Sequence, residues 1–232
     1  MGPSGVTLLL GGIHGDEAAG VLLLERFAEE WLGRVGTPTA IIAVCNPDGY
    51  ERRTRKNARG VDLNRNFPRA WRVDSAEPSG GEPWSEPESV ALRDVILRWK
   101  PRNIVTLHWA LGELDSDGPQ SSVFAQALWD ALGEEDRRPY RLRLSPQEAV
   151  SAECPGSLGQ WCGHDLRYAD GSAPSIVTLE LPYDPAVARP DPLPEGHLGE
   201  LHRRWELDAR GYLEAVEPGV FKMLLAACRF SS

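Results

Sequence analysis

The stretch GGIHGDE, residues 11–17, joins a short apolar run to a long amphipathic one. The run before it, Val6–Leu10, is typical of a buried strand, and the pattern over Ala18–Leu32 predicts a helix with one apolar face. His14 and Glu17 therefore lie where a strand ends and a helix begins. At a spacing of three residues both side chains can reach one ligand. Open α/β sheets form their binding crevices at this end of their strands.

Strand and helix patterns continue to alternate along the chain. Further strands are predicted at Thr39–Cys45, Asn103–Leu107, Arg141–Leu144 and Ser175–Leu181. Helical patterns cover Glu86–Lys100 (opened by Ser85), Val123–Leu132, Gly156–Tyr168 and, as one or two helices, Leu198–Cys228. Loops are predicted over 50–84, 110–121 and the Pro-rich, acidic 183–196. This alternation predicts an α/β fold with a mixed, largely parallel central sheet flanked by helices.

The composition indicates an ordinary globular enzyme rather than a nucleic-acid-binding protein. The 232 residues are 41% hydrophobic, which is enough for a single domain over residues 1–232. The net charge of −9 argues against a nucleic-acid partner. The first residues contain neither a basic segment nor an apolar run long enough for a signal peptide or a membrane span. We therefore expect a cytoplasmic protein without a membrane partner.

The four cysteines, Cys45, Cys154, Cys162 and Cys228, contain no C-x-x-C pair. This spacing is typical of buried free thiols in a reducing compartment. The sequence leaves open whether Cys154 and Cys162 form a disulfide.

A second histidine, His108, follows the predicted strand Asn103–Leu107 and is therefore expected at the same edge of the sheet. Alone, His14 and Glu17 are weak evidence, because a loop histidine beside a helix-starting glutamate is common. Taken alone, His108 is better explained as an edge histidine that caps its strand. Together, two imidazoles and one carboxylate form the His₂Glu set of open catalytic zinc sites. The sequence thus predicts one Zn²⁺ bound by His14, Glu17 and His108.

Several further motifs appear in a fixed order along the chain. N-P-D-G at 46–49 is followed by N-A-R-G-V-D-L-N-R-N-F-P at 57–68, P-G-S-L-G-Q-W-C at 155–162 and T-L-E-L-P at 178–182. With the H-x-x-E pair, this order resembles the M14 zinc carboxypeptidase family over about residues 6–182. Within that family it is most similar to the bacterial murein peptide amidases, which cleave γ-D-glutamyl–meso-diaminopimelate bonds. The resemblance implies a zinc carboxypeptidase-like fold and a metallo-hydrolase activity on peptides.

The resemblance also implies a role for each residue around the metal. Asp62 would accept a hydrogen bond from a metal-binding histidine, most simply His14, and so fix its tautomer; otherwise it is a turn aspartate. Asn64 and Arg65 would bind the terminal carboxylate of the substrate, a task suited to the planar guanidinium fork. The alternative for Arg65 is a solvated surface arginine.

Two more residues would take part in the chemistry itself. Arg55 would stabilise the charge that develops on the scissile carbonyl oxygen, although Arg52, Arg53 and Arg59 are neighbours in a crowded register. Glu180 lies within an apolar strand, where it is either an outward-facing residue or the general base that passes a proton from water to the leaving amine.

The chain also departs from the family pattern. Trp109-Ala110 follows His108 where a smaller or acidic residue, often with a proline, is expected. Ser151 and Glu153 occupy the region in which digestive carboxypeptidases carry a mobile tyrosine. This second departure favours the amidase branch. The remaining histidines, His164, His197 and His202, match no motif and are predicted to lie on the surface.

Three functional interpretations follow. The first is a zinc metallo-amidase acting on a small peptide with a free carboxylate, with γ-D-glutamyl-diaminopimelate murein peptides as the specific substrate. The second keeps the chemistry but changes the substrate to other peptides or to N-acyl amino acids, as in the succinylglutamate desuccinylase and aspartoacylase group. The third is a non-enzymatic zinc- or peptide-binding protein. No motif sets the oligomeric state, and a homodimer is compatible with the sequence.

Overall fold

A six-stranded sheet organises the computed structural model, which describes residues 5–73, 77–134, 136, 137, 142–145, 154–183 and 197–231, without the side chains of 197–208. Its strands are β1 (Thr7–Leu10), β2 (Thr39–Ile42), β3 (Asn103–Trp109), β4 (Glu113–Asp117), β5 (Arg143–Leu144) and β6 (Ser175–Leu181). Their order is β2-β1-β3-β6-β4-β5. All neighbours are parallel except β4 and β6, which pair antiparallel. The predicted mixed, largely parallel sheet is confirmed.

Helices flank the sheet. They are α1 (Ala18–Trp31), α2 (Pro47–Arg52), α3 (Pro87–Trp99), α4 (Ser122–Asp130), α5 (Leu158–Gln160), continued by a π-helical turn at Trp161–Asp165, and α6 (His197–Arg229). Helix α2 begins in the N-P-D-G motif because the Asn46 side chain accepts a hydrogen bond from the Gly49 amide at 2.9 Å. In α3, Pro87 stands at the first position, where a missing N–H costs little.

Two apolar layers cover the sheet. On one face, Leu107 and Leu179 pack with side chains from α1, α4 and α6, including Phe27, Phe124 and Phe221. On the other face, the middle of the sheet packs with α3 and with residues of the long loops and α5, including Leu8, Ile104, Ile176, Ile96, Phe67 and Trp161. Over the part of the chain that the structure describes, no helix is both long and apolar enough to cross a membrane.

The predicted loop over 110–121 is wrong, because it contains β4. Glu113–Asp117 carries only one large apolar residue, Leu114, yet all five positions are buried. Asp115 and Asp117 line a cavity, where they need no apolar neighbours, so hydrophobicity did not reveal the strand. Several boundaries also differ: for example, β2 ends at Ile42 rather than Cys45, β3 continues to Trp109 rather than ending at Leu107, and Glu86 rather than Ser85 precedes α3. The helix predicted over Gly156–Tyr168 is shorter, since it consists of α5 and the π-helical turn that ends at Asp165.

The sequence does not decide whether the C-terminal region forms one helix or two, or whether Cys154 and Cys162 form a disulfide. The segment predicted as one or two helices is the single helix α6, which contains Pro218. All four cysteines are free thiols, and Cys154 is half-buried while the other three are buried. Residues 184–196 of the predicted Pro-rich excursion, Arg141 at the start of the predicted short strand, Ser151 and Glu153 lie outside the described residues.

Candidate active site

The turn after β1 carries His14 and Glu17, which are only 3% and 4% exposed. It packs tightly against the start of α2. A side chain at Gly15 would overlap the backbone of Gly49 and Tyr50, and the Gly15 amide donates to the Arg55 carbonyl at 3.4 Å. The glycine between the two polar residues therefore lets the N-P-D-G segment, and the loop behind it, approach the turn.

His14 and Glu17 of this turn converge with His108, which lies on β3. Glu17 places Oε1 2.7 Å from His14 Nδ1 and Oε2 3.1 Å from His108 Nδ1. The ligand atoms of the three residues lie within 4.8 Å of one another. The Trp109 backbone amide donates to Glu17 Oε2 at 3.2 Å, which fixes the carboxylate. Two imidazole nitrogens and one carboxylate oxygen at this spacing are a donor set that suits Zn²⁺.

Protonation in this cluster reflects its burial and its opposite charges. Burial lowers the pKa of His14, but the charges of Glu17 and Asp62 outweigh it and raise that pKa to about 9. For Glu17, burial raises the pKa, while His14 and His108 together hold it well below its usual range. A metal ion binds only the neutral imidazole, so metal binding and proton release are coupled at His14.

Asp62 lies behind His14 and is fully buried. Its Oδ1 is 3.2 Å from His14 Nε2, and its Oδ2 accepts from Arg55 Nε at 2.9 Å. Oδ1 also accepts from the Asn64 amide at 2.9 Å, at the start of a 3₁₀ turn over Leu63–Arg65. Asp62 is thus both a turn residue and a partner of His14. An Nε2–H directed at Asp62 leaves the Nδ1 lone pair facing Glu17 and His108.

Glu180 lies on β6 directly beside His108 in the parallel register. Its side chain faces a cavity of about 410 Å³ that His14, Glu17 and His108 also line. Glu180 is only 9% exposed, so it is not a solvent-facing strand residue. Burial first, and the nearby Glu17 charge second, raise the pKa of Glu180 to about 7, although His108 opposes the shift.

The remaining residues expected at the site line the same cavity. Arg55 does so with its Nη1 3.6 Å from Glu17 Oε1. Asn64 and Arg65 also line the cavity, and the Asn64 side-chain oxygen accepts from the Leu158 amide at 3.0 Å. Arg65 is 8% exposed and donates through Nε to Glu77 at 2.7 Å. The structure thus brings together all eight residues that the resemblance implied.

Sequence analysis missed several residues of the cavity wall. These are Glu77, Thr106, Asp115, Asp117, Cys154 and Thr178. Thr106 and Thr178 each precede a site residue on their strand by two positions, so strand alternation could have placed them on the same face. The two aspartates belong to the unpredicted strand β4.

The other candidates lie elsewhere. Arg52, Arg53 and Arg59 are exposed. His164 is half-buried in the π-helical turn rather than on the surface, whereas the side chains of His197 and His202 fall outside the described part of the chain. Trp109 and Ala110, the departure noted after His108, line the cavity and shape its wall.

Comparisons with known proteins agree with this geometry. The sequence model of the zinc carboxypeptidase family (Peptidase_M14) matches residues 5–110. Murein peptide amidase A of Escherichia coli (strain K12) is 35% identical over 194 residues, covering 75% of this chain and 70% of that protein. Vibrio campbellii murein peptide amidase A is 33% identical over 190 residues, covering 75% and 68%.

Among solved structures, the murein-tripeptide amidase from Escherichia coli O157 superposes with a TM-score of 0.60 at 26% identity, covering 95% of this chain and 82% of that one. The carboxypeptidase A of Helicoverpa armigera, at 20% identity and a TM-score of 0.65 over 97% and 61% of the two chains, shares the fold. The chain belongs to the M14 zinc carboxypeptidase family and is a hydrolase that acts on peptide or amide bonds.

Proposed function

We propose that this protein is a zinc-dependent amidase that cleaves the γ-D-glutamyl–diaminopimelate bond of murein peptides. The observation that carries the proposal is the convergence of His14, Glu17 and His108 at one end of a cavity that Glu180, Asn64 and Arg65 also line. Relatives at 35% and 33% identity that bear the name murein peptide amidase A support the choice of substrate.

The three buried side chains fit a single zinc ion. They would supply three ligands and leave a fourth position for water, as in open catalytic sites. Bound zinc would lower the pKa of a water molecule and polarise the scissile carbonyl. The second contact of His14, to Asp62 at 3.2 Å, would hold the imidazole in the tautomer that offers Nδ1.

Glu180 would act as the general base. Burial raises the pKa of Glu180 to about 7 in the metal-free protein. A carboxylate at this place in the cavity would take a proton from the attacking water and return it to the leaving amine. Arg55 would donate to the carbonyl oxygen as negative charge develops there. Its Nε is already bound to Asp62, so the guanidinium is held in place before the substrate arrives.

Asn64 and Arg65 would bind one of the two carboxylates of the diaminopimelate leaving group, the one next to the scissile amide. Arg65 already donates through Nε to Glu77 and through Nη1 to the Asn64 carbonyl, so its remaining N–H groups and the Asn64 side-chain amide would donate to such a carboxylate. We further propose that residues 1–232 form one catalytic domain that works on recycled peptidoglycan fragments in the cytoplasm. The four free thiols fit a reducing compartment of this kind.

Metal analysis of the purified protein together with a hydrolysis screen tests the proposal. We expect one zinc per chain, loss of activity on chelation, and release of diaminopimelate from L-alanyl-γ-D-glutamyl-meso-diaminopimelate. Faster hydrolysis of ordinary C-terminal dipeptides would make the enzyme a general carboxypeptidase. Preference for N-acyl amino acids would make it a deacylase. Stoichiometric zinc without hydrolysis of any of the three substrate classes would indicate a binding protein.

A further inference from the structure

Two motifs that lie far apart in the chain pack against each other beside the cavity. Segment 154–160, which contains the first six residues of the P-G-S-L-G-Q-W-C motif, runs along residues 64–69. The Phe67 amide donates to the Gly156 carbonyl at 2.9 Å, and the Gly156 amide donates to the Arg69 carbonyl at 2.8 Å. These paired backbone bonds fix the distance between the two segments just after Arg65.

Gly156 is the point of closest approach. Its φ is +73°, in the left-handed region that side chains strain to adopt. A Cβ at this position would also lie 2.9 Å from the Arg65 carbonyl carbon and closer still to its oxygen. A glycine is therefore needed at residue 156 for two separate reasons, and one of them is contact with the Arg65 backbone.

The same segment fixes the orientation of the Asn64 side chain. The Leu158 amide donates to the Asn64 Oδ1 at 3.0 Å. Because an N–H needs an oxygen acceptor, this bond identifies which end of the Asn64 amide faces segment 154–160. The Asn64 NH₂ group is then the donor left for the cavity that Asn64 lines. Ser157 caps α5 and holds the Leu158 amide in this direction, since its side chain accepts from the Gln160 amide at 3.2 Å.

We propose that Gly156 is a positioning residue for substrate binding. Gly156 lets segment 154–160 lie against the Arg65 backbone. This contact fixes the position of the Arg65 main chain and allows the Leu158 amide to bind Asn64. It therefore places the two side chains that bind the substrate carboxylate. This inference rests on the carboxylate-binding role of Asn64 and Arg65 proposed above. Segment 154–160 acts through these residues and takes no part in the chemistry.

The substitution Gly156→Ala tests the proposal, with Gly171→Ala as its matched control. Gly171 has a comparable φ of +85°, but nothing lies within 4 Å of a Cβ built there. Both variants carry the left-handed backbone cost, whereas only Gly156→Ala disturbs Arg65. Each variant is assayed on murein tripeptide and on a second peptide. In the second peptide, the diaminopimelate carboxylate next to the scissile amide is converted to an amide.

For Gly156→Ala we expect KM for the carboxylate substrate to rise about 10- to 100-fold, the loss typical of charged hydrogen bonds. The preference for carboxylate over amide should fall by the same factor, while kcat and zinc content stay near wild type. Gly171→Ala should keep both KM and the preference. An unchanged preference in Gly156→Ala would overturn the proposal, because a merely structural role would lower stability alone.

A second pair of variants decides the matter if Gly156→Ala does not fold. Leu158→Pro removes the amide hydrogen that binds Asn64 and places the ring against its oxygen. Proline suits this first helical position, because Ser157 is extended with ψ 158°. Leu158→Ala loses side-chain burial but keeps the amide. Loss of carboxylate preference in Leu158→Pro and its retention in Leu158→Ala would support the proposal, and equal preferences would overturn it.

The wild-type enzyme separates this inference from the proposed function. Equal KM values of wild type for the carboxylate and amide peptides would reject the carboxylate-binding role itself. A clear wild-type preference that survives Gly156→Ala and Leu158→Pro would leave that role standing and reject the positioning role of segment 154–160.

Discussion

Toward the carboxyl ends of strands β3 and β6, the two faces are both largely buried but chemically opposite. Leu107 and Leu179 point into an apolar core, whereas the next residues, His108 and Glu180, line the cavity of the candidate site. Leu179 is fully buried and Glu180 is 9% exposed. One step along the strand therefore separates a residue whose burial stabilises the fold from one whose burial costs stability. This cost is what raises the pKa of Glu180 and suits it to proton transfer.

Glu180→Gln should have the largest effect. The amide keeps the size of the side chain but cannot accept a proton, so kcat should fall about 10²- to 10⁴-fold. Zinc content should stay at the wild-type level, because Glu180 is not one of the three proposed ligands. Steady-state kinetics and metal analysis of the same sample measure both. Wild-type turnover in this variant would reject Glu180 as the base and weaken the contrast between the faces.

Leu179→Ala probes the opposite face at the neighbouring position. Removing a fully buried leucine side chain should lower the free energy of unfolding by about 2–5 kcal/mol. Zinc content and the kcat of the folded enzyme should remain close to wild type. Urea denaturation gives the first quantity, and assays well below the unfolding midpoint give the others. A drop in kcat like that of Glu180→Gln would show that the two faces do not act separately.

Sequence patterns predicted the apolar face better than the polar one. Val105, Leu107, Val177 and Leu179 alternate in recognisable strands, and β6 was predicted with its observed bounds. The polar face depends on β4, whose residues Glu-Leu-Asp-Ser-Asp are typical of a loop. A strand that lines a cavity has no need of apolar side chains on that side, so hydrophobic alternation carries little information there.

The candidate site was predictable where motifs have fixed spacing, and not where it depends on contacts between distant segments. His14 and Glu17 share one turn, and strand-end placement brought His108 to the same edge. Nothing in the spacing shows that Glu77 would bind Arg65 at 2.7 Å, or that Gly156 would touch its backbone. Those contacts depend on the path of the loop between α2 and α3, which lacks any regular period.

In the metal-free protein, the buried Glu180 on the cavity side of β6 should make stability depend on pH, whereas the apolar residues on the opposite face should not. The pKa of Glu180 is raised from 4.5 to about 7 in the folded state, chiefly by burial. As pH rises, Glu180 ionises near pH 4.5 in the unfolded chain but only near pH 7 in the folded protein. Its contribution to the free energy of unfolding is therefore complete below pH 4.5 and is lost as pH rises to 7. Above that range, wild type should be less stable than Glu180→Gln by about 1–3 kcal/mol, relative to their difference at low pH. Parallel stability curves for the two proteins would contradict this expectation.

Ile176→Val should have the smallest effect on stability and activity. This variant tests how far the polar face of β6 extends toward the start of the strand. Ile176 has the same strand parity as Thr178 and Glu180, yet it packs in the apolar cluster with Leu8 and Ile104. The face thus changes from apolar to polar within four residues, toward the carboxyl end of the strand. Loss of one methyl group should cost about 0.5–1.5 kcal/mol of stability, with unchanged KM and kcat. Because Val fits the same strand geometry, a kinetic effect of this variant would mean that the shape of the cavity depends on packing in the apolar cluster around Ile176. The catalytic region would then be a property of the whole face rather than of its edge.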